Sequence, residues 1–179
     1  MSRILLLNGP NLGTLGTRQP EIYGTTTLAE IEAAVAEEAA VRDWKVVSAQ
    51  HNGEGELIDA LQRHGDVAGA VVNPGALMIA GWGLRDALAD FGPPWIEVHL
   101  SNVWARESFR HTSVTAPLAA GVVMGMGALG YRVAARSLTL LVPADHTFGH
   151  PDNSPADSPS DRPCDRPDDK AQAVLGPTP

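Results

Sequence analysis

Arg3-Ile4-Leu5-Leu6-Leu7-Asn8-Gly9-Pro10-Asn11 begins with an apolar run that does not alternate and then breaks into a turn. A strand with one face in water alternates apolar and polar residues. A run that is apolar throughout belongs to a strand buried on both faces, as in parallel sheets covered by helices. Four more runs of this kind follow, at residues 44–49, 68–73, 95–99 and 121–124. Helical patterns lie between them. Thr27-Leu28-Ala29-Glu30 has the spacing of a capping box, with Ile31 and Val35 beyond it on one face. Residues 54–64 carry Leu57, Ile58 and Leu61 and are expected to stop at Gly65, a good C-cap residue. A third helix is expected over 77–90, weakened by Gly81 and Gly83, and a last one over 128–141. Strands alternating with helices predict a parallel sheet wrapped by right-handed crossovers, a three-layer doubly wound α/β domain.

That pattern occupies residues 1–142. The stretch 143–179 holds eight of the fourteen prolines, seven aspartates and only three basic residues, and it accounts for four of the eight net negative charges. Such a composition buries too little apolar surface to order itself, so a disordered tail is expected. The only cysteine, Cys164, falls in it, which leaves neither a disulfide framework nor a cysteine metal site. A net charge of −8 argues against a nucleic-acid partner. An anionic small molecule would need positive charge concentrated locally. The run after Met1 is too short for a signal peptide, and nothing approaches a membrane span. A cytoplasmic protein is expected.

In a doubly wound sheet, ligands bind beyond the carboxyl ends of the strands. Polar residues converge there. The first strand leads into a long glycine-rich loop, residues 8–24, carrying Asn11, Arg18 and Tyr23; the third ends in Asn73-Pro74-Gly75-Ala76; the fourth runs through Glu97 and His99 to Leu100-Ser101-Asn102, with Arg106 and Arg110 beyond. Long loops inside compact domains are usually lids or binding loops. A guanidinium beside a phenol favours the phenolate, which can serve as a general base, although Tyr23 could equally be packed against the body of the protein. Glu97 and His99, two apart on a strand, share a face; a carboxylate beside an imidazole holds its orientation and suits a proton donor, the alternative being an ordinarily satisfied histidine. Arg106 and Arg110, four apart, would face the same way on a helical turn, gripping an anion or lining a solvated face. Asn11 and Asn73 could be turn residues alone.

Gly125-Met126-Gly127-Ala128-Leu129-Gly130 matches the dinucleotide fingerprint G-x-G-x-x-G, but it lies in the last β–α unit, with no later strand to complete a binding half. Close helix–sheet packing is the better reading. There is no phosphate-binding loop ending in Gly-Lys-Ser/Thr and no Gly-x-Ser-x-Gly elbow. The six histidines lack metal-ligand spacing. Of the two lysines, Lys170 is in the tail and Lys45 opens a strand, so Schiff-base chemistry is not expected.

Over about residues 3–140 these segments resemble the type II 3-dehydroquinate dehydratases. The resemblance is carried by Asn8-Gly9-Pro10-Asn11-Leu12, Gly16-Thr17-Arg18 with Pro20 and Tyr23-Gly24, Gln50 with residues 53–59, Asn73-Pro74-Gly75-Ala76, Leu84-Arg85-Asp86-Ala87, residues 97–102, residues 105–110, and Gly121-Val122-Val123. It implies a flavodoxin-like sandwich with a five-stranded parallel sheet in the order 2-1-3-4-5. It also implies an anti elimination of water from 3-dehydroquinate, through an enolate, to 3-dehydroshikimate. In that scheme Tyr23 is the base, Arg18 activates it, Asn11 holds a water near the enolate oxygen, and His99, oriented by Glu97, is the acid. Asn73 and the backbone amides of Leu100 and Ser101 would bind the substrate carboxylate, with Arg110 on ring hydroxyls and Arg106 among the binding residues. The family needs no metal or organic cofactor and assembles as a dodecamer of trimers, an aspartate matching Asp86 reaching into a neighbour's site. One departure stands out: the family's substrate-binding histidine corresponds to Ile79, which cannot hydrogen-bond. The alternatives are therefore a paralogue acting on a related cyclic hydroxy-keto acid, or a non-catalytic small-molecule binder.

Overall fold

Five parallel strands form one sheet in the order β2-β1-β3-β4-β5: β1 (Arg3–Asn8), β2 (Lys45–Gln50), β3 (Gly69–Asn73), β4 (Trp95–His99) and β5 (Gly121–Met124). The computed structural model describes residues 2–142, so the expected tail and Cys164 lie outside the described residues. The helices are α1 (Pro20–Tyr23), α2 (Leu28–Ala40), α3 (Glu54–Arg63), α4 (Leu77–Ala80), α5 (Trp82–Asp90) and α6 (Leu129–Leu141). The strand order and the helix layers are those the resemblance implies. Among the described residues no helix is long and apolar enough to cross a membrane.

The apolar runs of the inner strands fail to alternate because β1, β3 and β4 each feed two cores. Ile4 and Leu6 of β1 pack with Val71, Ile96, Val98 and the α2/α6 residues Ile31, Val35, Tyr131 and Leu138. Leu5 and Leu7 turn the other way, onto Val72, Trp95 and the α3/α5 residues Leu57, Leu61, Leu84 and Leu88. By the same period of two, Asn8 and Asn73 hang from the α2/α6 face, and Glu97 and His99 from the α3/α5 face.

Local sequence sets the helix ends. The capping box forms: Thr27 Oγ1 accepts from Glu30 N at 3.3 Å, and Thr27 N donates to Glu30 Oε2 at 2.8 Å. Two expectations need correction. The helix expected over 54–64 with Gly65 as its cap ends at Arg63, one residue sooner, and His64 is the cap: with φ −111°, it donates its N–H to the carbonyls of both Ala60 and Leu61, so no left-handed glycine is needed. The helix expected over 77–90 is two helices. At Gly81 the backbone leaves the helix (ψ 69°), where a Cβ would lie 2.7 Å from the Leu77 carbonyl oxygen. The restarted α5 has no side-chain cap of its own; instead Glu54 at the start of α3 reaches across and accepts from Leu84 N at 2.8 Å.

Candidate active site

The carboxyl end of β4 carries a fully enclosed carboxylate. Glu97 is fully buried; its Oε1 lies 2.8 Å from His99 Nε2, and its Oε2 accepts from Thr115 Oγ1 at 2.6 Å. Ser113 Oγ donates to Oε1 at 3.3 Å. The expected sharing of a face by Glu97 and His99 holds, and His99 is itself 5% exposed. Nothing in the spacing pointed to Ser113 and Thr115; alternate hydroxyls before the last strand are the only signal in the sequence.

Loop chemistry is organised around Tyr23. Pro20 starts the four-residue α1 with its fixed φ, and Tyr23 ends it, half-buried. Two guanidiniums flank its ring: the Cζ of Arg18 is 5.7 Å and that of Arg106 5.9 Å from the ring centroid. The hydrogen bond to the phenol oxygen comes from Arg106, Nη1 to Oη at 3.3 Å, and the same nitrogen lies 3.5 Å from Ser101 Oγ. Arg106 thus ties the lid tyrosine to the end of β4. The bond to Tyr23, against desolvation, holds the Arg106 guanidinium above its ordinary range. Arg106 and Arg110 do not lie on one helical turn as expected: Arg106 is extended (φ −102°, ψ −169°) between two short 3-10 turns. They are joined instead by Glu107, whose carboxylate meets Arg106 Nε at 3.5 Å and Arg110 Nε at 2.8 Å. Its own backbone N–H, then Arg110, hold the Glu107 carboxyl below the usual carboxylate range. Arg110 also stacks on Phe109, 4.8 Å from its centroid.

The β1 and β3 ends form a second buried network. Tyr131 of α6 donates its hydroxyl to Asn8 Oδ1 at 2.8 Å and accepts from Asn73 Nδ2 at 2.7 Å, while Asn73 Oδ1 accepts from Gly75 N at 3.0 Å. Burial pushes the Tyr131 phenol above its ordinary range. Asn8 Nδ2 is the one buried side-chain polar atom among the described residues without a partner. Gly9 belongs here on steric grounds, since a Cβ on it would stand 2.6 Å from the Pro74 carbonyl oxygen. Asn11 is left-handed (φ 67°), and its N–H is held by Asn52 Oδ1 at 2.9 Å, which also accepts from Gln50. Its side chain is left exposed at the loop.

Ile79 sits half-buried on α4, beside Met78, whose carbonyl accepts from Val114 N at 2.7 Å. Asp86 on α5 points outward, its side chain 78% exposed and within 3.3 Å of Arg85. Of the glycines of residues 125–130 only Gly130 shows the expected helix–sheet packing, a Cβ there touching Val123 and Val98; Gly125 (φ +80°) lies against Asn102, and Gly127 (φ +57°), with open space at its Cβ position, is called for by its left-handed turn, its N–H donating to the Leu100 carbonyl at 2.9 Å. They shape the chain beyond β4. No group of acidic, histidine or cysteine side chains among the described residues has the arrangement of a metal site. A separate shallow cavity of about 130 Å³, lined by Glu38, Arg42, Arg136 and Leu140, lies where α2 and α6 end, at the far end of the strands.

A parallel α/β sheet bearing a tyrosine between two guanidiniums, and a histidine backed by a buried glutamate, at one end defines an α/β protein with an acid–base site. Residues 2–139 match the family described as Dehydroquinase class II. The chain is 53% identical over 133 residues to a 3-dehydroquinate dehydratase of Roseiflexus castenholzii, covering 74% of this chain and 85% of that one. It is 48% identical over 138 residues to Catabolic 3-dehydroquinase 1 of Neosartorya fischeri, covering 76% and 92%. The crystal structure of type II dehydroquinase from Butyrivibrio crossotus superposes with a TM-score of 0.75 at 40% identity, covering 77% of this chain and 97% of that one. The chain belongs to the class II dehydroquinase family.

Proposed function

We propose that the chain is a 3-dehydroquinate dehydratase, eliminating water from 3-dehydroquinate in the anti sense to give 3-dehydroshikimate. The observation that carries the reading is the bond from Arg106 to Tyr23 Oη at the same sheet end as the Glu97–His99 pair. It puts a cationic donor at the phenol oxygen and a carboxylate-held imidazole at one sheet end, a pairing suited to the activity named for the relatives. Tyr23 removes the proton alpha to the ketone. Arg106 at its oxygen and Arg18 over its ring stabilise the phenolate, and Asn11 holds a water at the enolate oxygen. His99, oriented by Glu97, protonates the departing hydroxyl, so one proton leaves carbon and one returns with the hydroxyl as water. Asn73 and the amides of Leu100 and Ser101 take the substrate carboxylate, and Arg110 takes ring hydroxyls after exchanging Glu107 for the ligand.

Residues 1–142 are the catalytic domain in this reading. The assembly is a dodecamer built of trimers, which gives the outward Asp86 a neighbouring site to enter, and the protein works in the cytoplasm without a metal or organic cofactor. The test is the ultraviolet absorbance of the conjugated enone product, followed with purified protein and 3-dehydroquinate. Tyr23→Phe is expected to lower kcat by about 10²- to 10⁴-fold with the fold intact. A silent wild type at ample enzyme would reject the reading in favour of a small-molecule binder.

A further inference from the structure

Thr115 and Ser113 lie in the segment between Arg110 and β5, outside the proton-transfer set proposed above. Their hydroxyls converge on one buried carboxylate. Thr115, itself fully buried, is 2.6 Å from Glu97 Oε2. Ser113 Oγ is 3.3 Å from Oε1, the oxygen that also meets His99 Nε2 at 2.8 Å. The serine oxygen accepts from the backbone N–H groups of Thr115 and Ala116, at 3.3 and 3.0 Å, which leaves its proton for the carboxylate. The two hydroxyls are 3.2 Å apart, but the short bond to a charged acceptor is the stronger one and takes the threonine proton.

Glu97 therefore has donors at both oxygens and accepts throughout. An imidazole facing such an acceptor must present an N–H at Nε2; as the acid, His99 is then an imidazolium that gives its Nδ1 proton to the leaving hydroxyl and is left as the Nε2–H tautomer. Were the Oε2 donor absent, a proton on the carboxyl could turn Glu97 into a donor toward Nε2 and reverse the ring's tautomer. We infer that Thr115, backed by Ser113, is a positioning residue for His99: by holding Glu97 as an acceptor at both oxygens it fixes which ring nitrogen exchanges a proton with the substrate. The inference rests on the reading of His99 as the acid.

Thr115→Val keeps the side chain's volume and removes the donor; Thr115→Ser restores it. With 3-dehydroquinate, kcat is expected to fall about 10- to 100-fold in the valine variant, the loss of a hydrogen bond to a charged group, while KM changes less than about twofold. The serine variant is expected to recover most of kcat. In the ligand-free protein, at a pH where the ring is neutral, the ¹⁵N signals of His99 are expected to report the Nε2–H tautomer alone in wild type and Thr115→Ser, and a mixture in Thr115→Val. Wild-type kcat and unchanged ring signals in a folded Thr115→Val protein overturn the inference, as does a serine variant as slow as the valine one. If Thr115→Val does not fold, Ser113→Ala removes the Oε1 hydroxyl at a less buried position and is judged by the same two readouts. If the wild type is silent on 3-dehydroquinate, the catalytic reading fails, and the ring signals alone decide the role of Thr115.

Discussion

Tyr131 shows how little of a buried polar network a linear reading can find. Asn73 stood out because it ends a strand before Pro-Gly; its partner lies 58 residues away on a helix whose pattern looks like core. Hydrogen bonds between distant residues leave no period in the sequence, and the same holds for Thr115 on Glu97. Tyr131→Phe removes one hydroxyl and strands two buried amide groups, Asn8 Oδ1 and Asn73 Nδ2. The expected cost is about 1–3 kcal/mol, read as a lower urea midpoint at unchanged m-value. Ile79 is a residue-scale question of the opposite kind, legible only against the family pattern. Half-buried on α4, it has no polar atom for a ring hydroxyl. If the chain is tuned to a different ring, Ile79→His should raise turnover of 3-dehydroquinate by about 5- to 150-fold; no gain means that 3-dehydroquinate is already the fitted substrate.

Elements were legible where one signal dominated. The five strands are placed to within a residue because short apolar runs bounded by turn residues mark them, most cleanly in the buried β1, β3 and β4, and α2 is placed because Thr27 and Glu30 form their box. Ends decided by contacts from elsewhere were not legible. The break at Gly81 follows from the Leu77 carbonyl, and α5 is capped from another helix by Glu54. Glu54→Ala is expected to destabilise the protein by about 1 kcal/mol, with hydrogen exchange quickening first at the amides of residues 83–86. The turn at Pro20 was open to reading from proline at the first helical position followed by Glu21, but four residues give no periodicity to raise it above a loop.

Across the whole molecule the three layers and the clustering of polar groups at one sheet end follow from the alternation of strands and helices and the switch-point rule, while the strand order was implied only by the family resemblance. The pairing of charges between layers does not. Glu38 on α2 accepts from Arg132 Nη2 at 3.1 Å and Arg136 Nη1 at 3.0 Å on α6, clasping the two helices of one layer. Arg136, then Arg132, hold its carboxyl below the usual carboxylate range. A depressed carboxyl contributes stability above its unfolded value and loses it as the pH falls through its folded value. Glu38→Gln should therefore be less stable than wild type near pH 7, and the gap between their unfolding midpoints should close as the pH drops below about 4.

Asn8 and Asn73 hang from one side of the sheet, the side of the α2/α6 core; Glu97 and His99 hang from the other, the side of the α3/α5 core. The β-sheet is thus a party wall between the two buried networks. Tyr23 leans on the α2/α6 core and the Glu97–His99 pair stands on the α3/α5 side, so a cavity cut on either side is expected to lower the kcat of a folded variant.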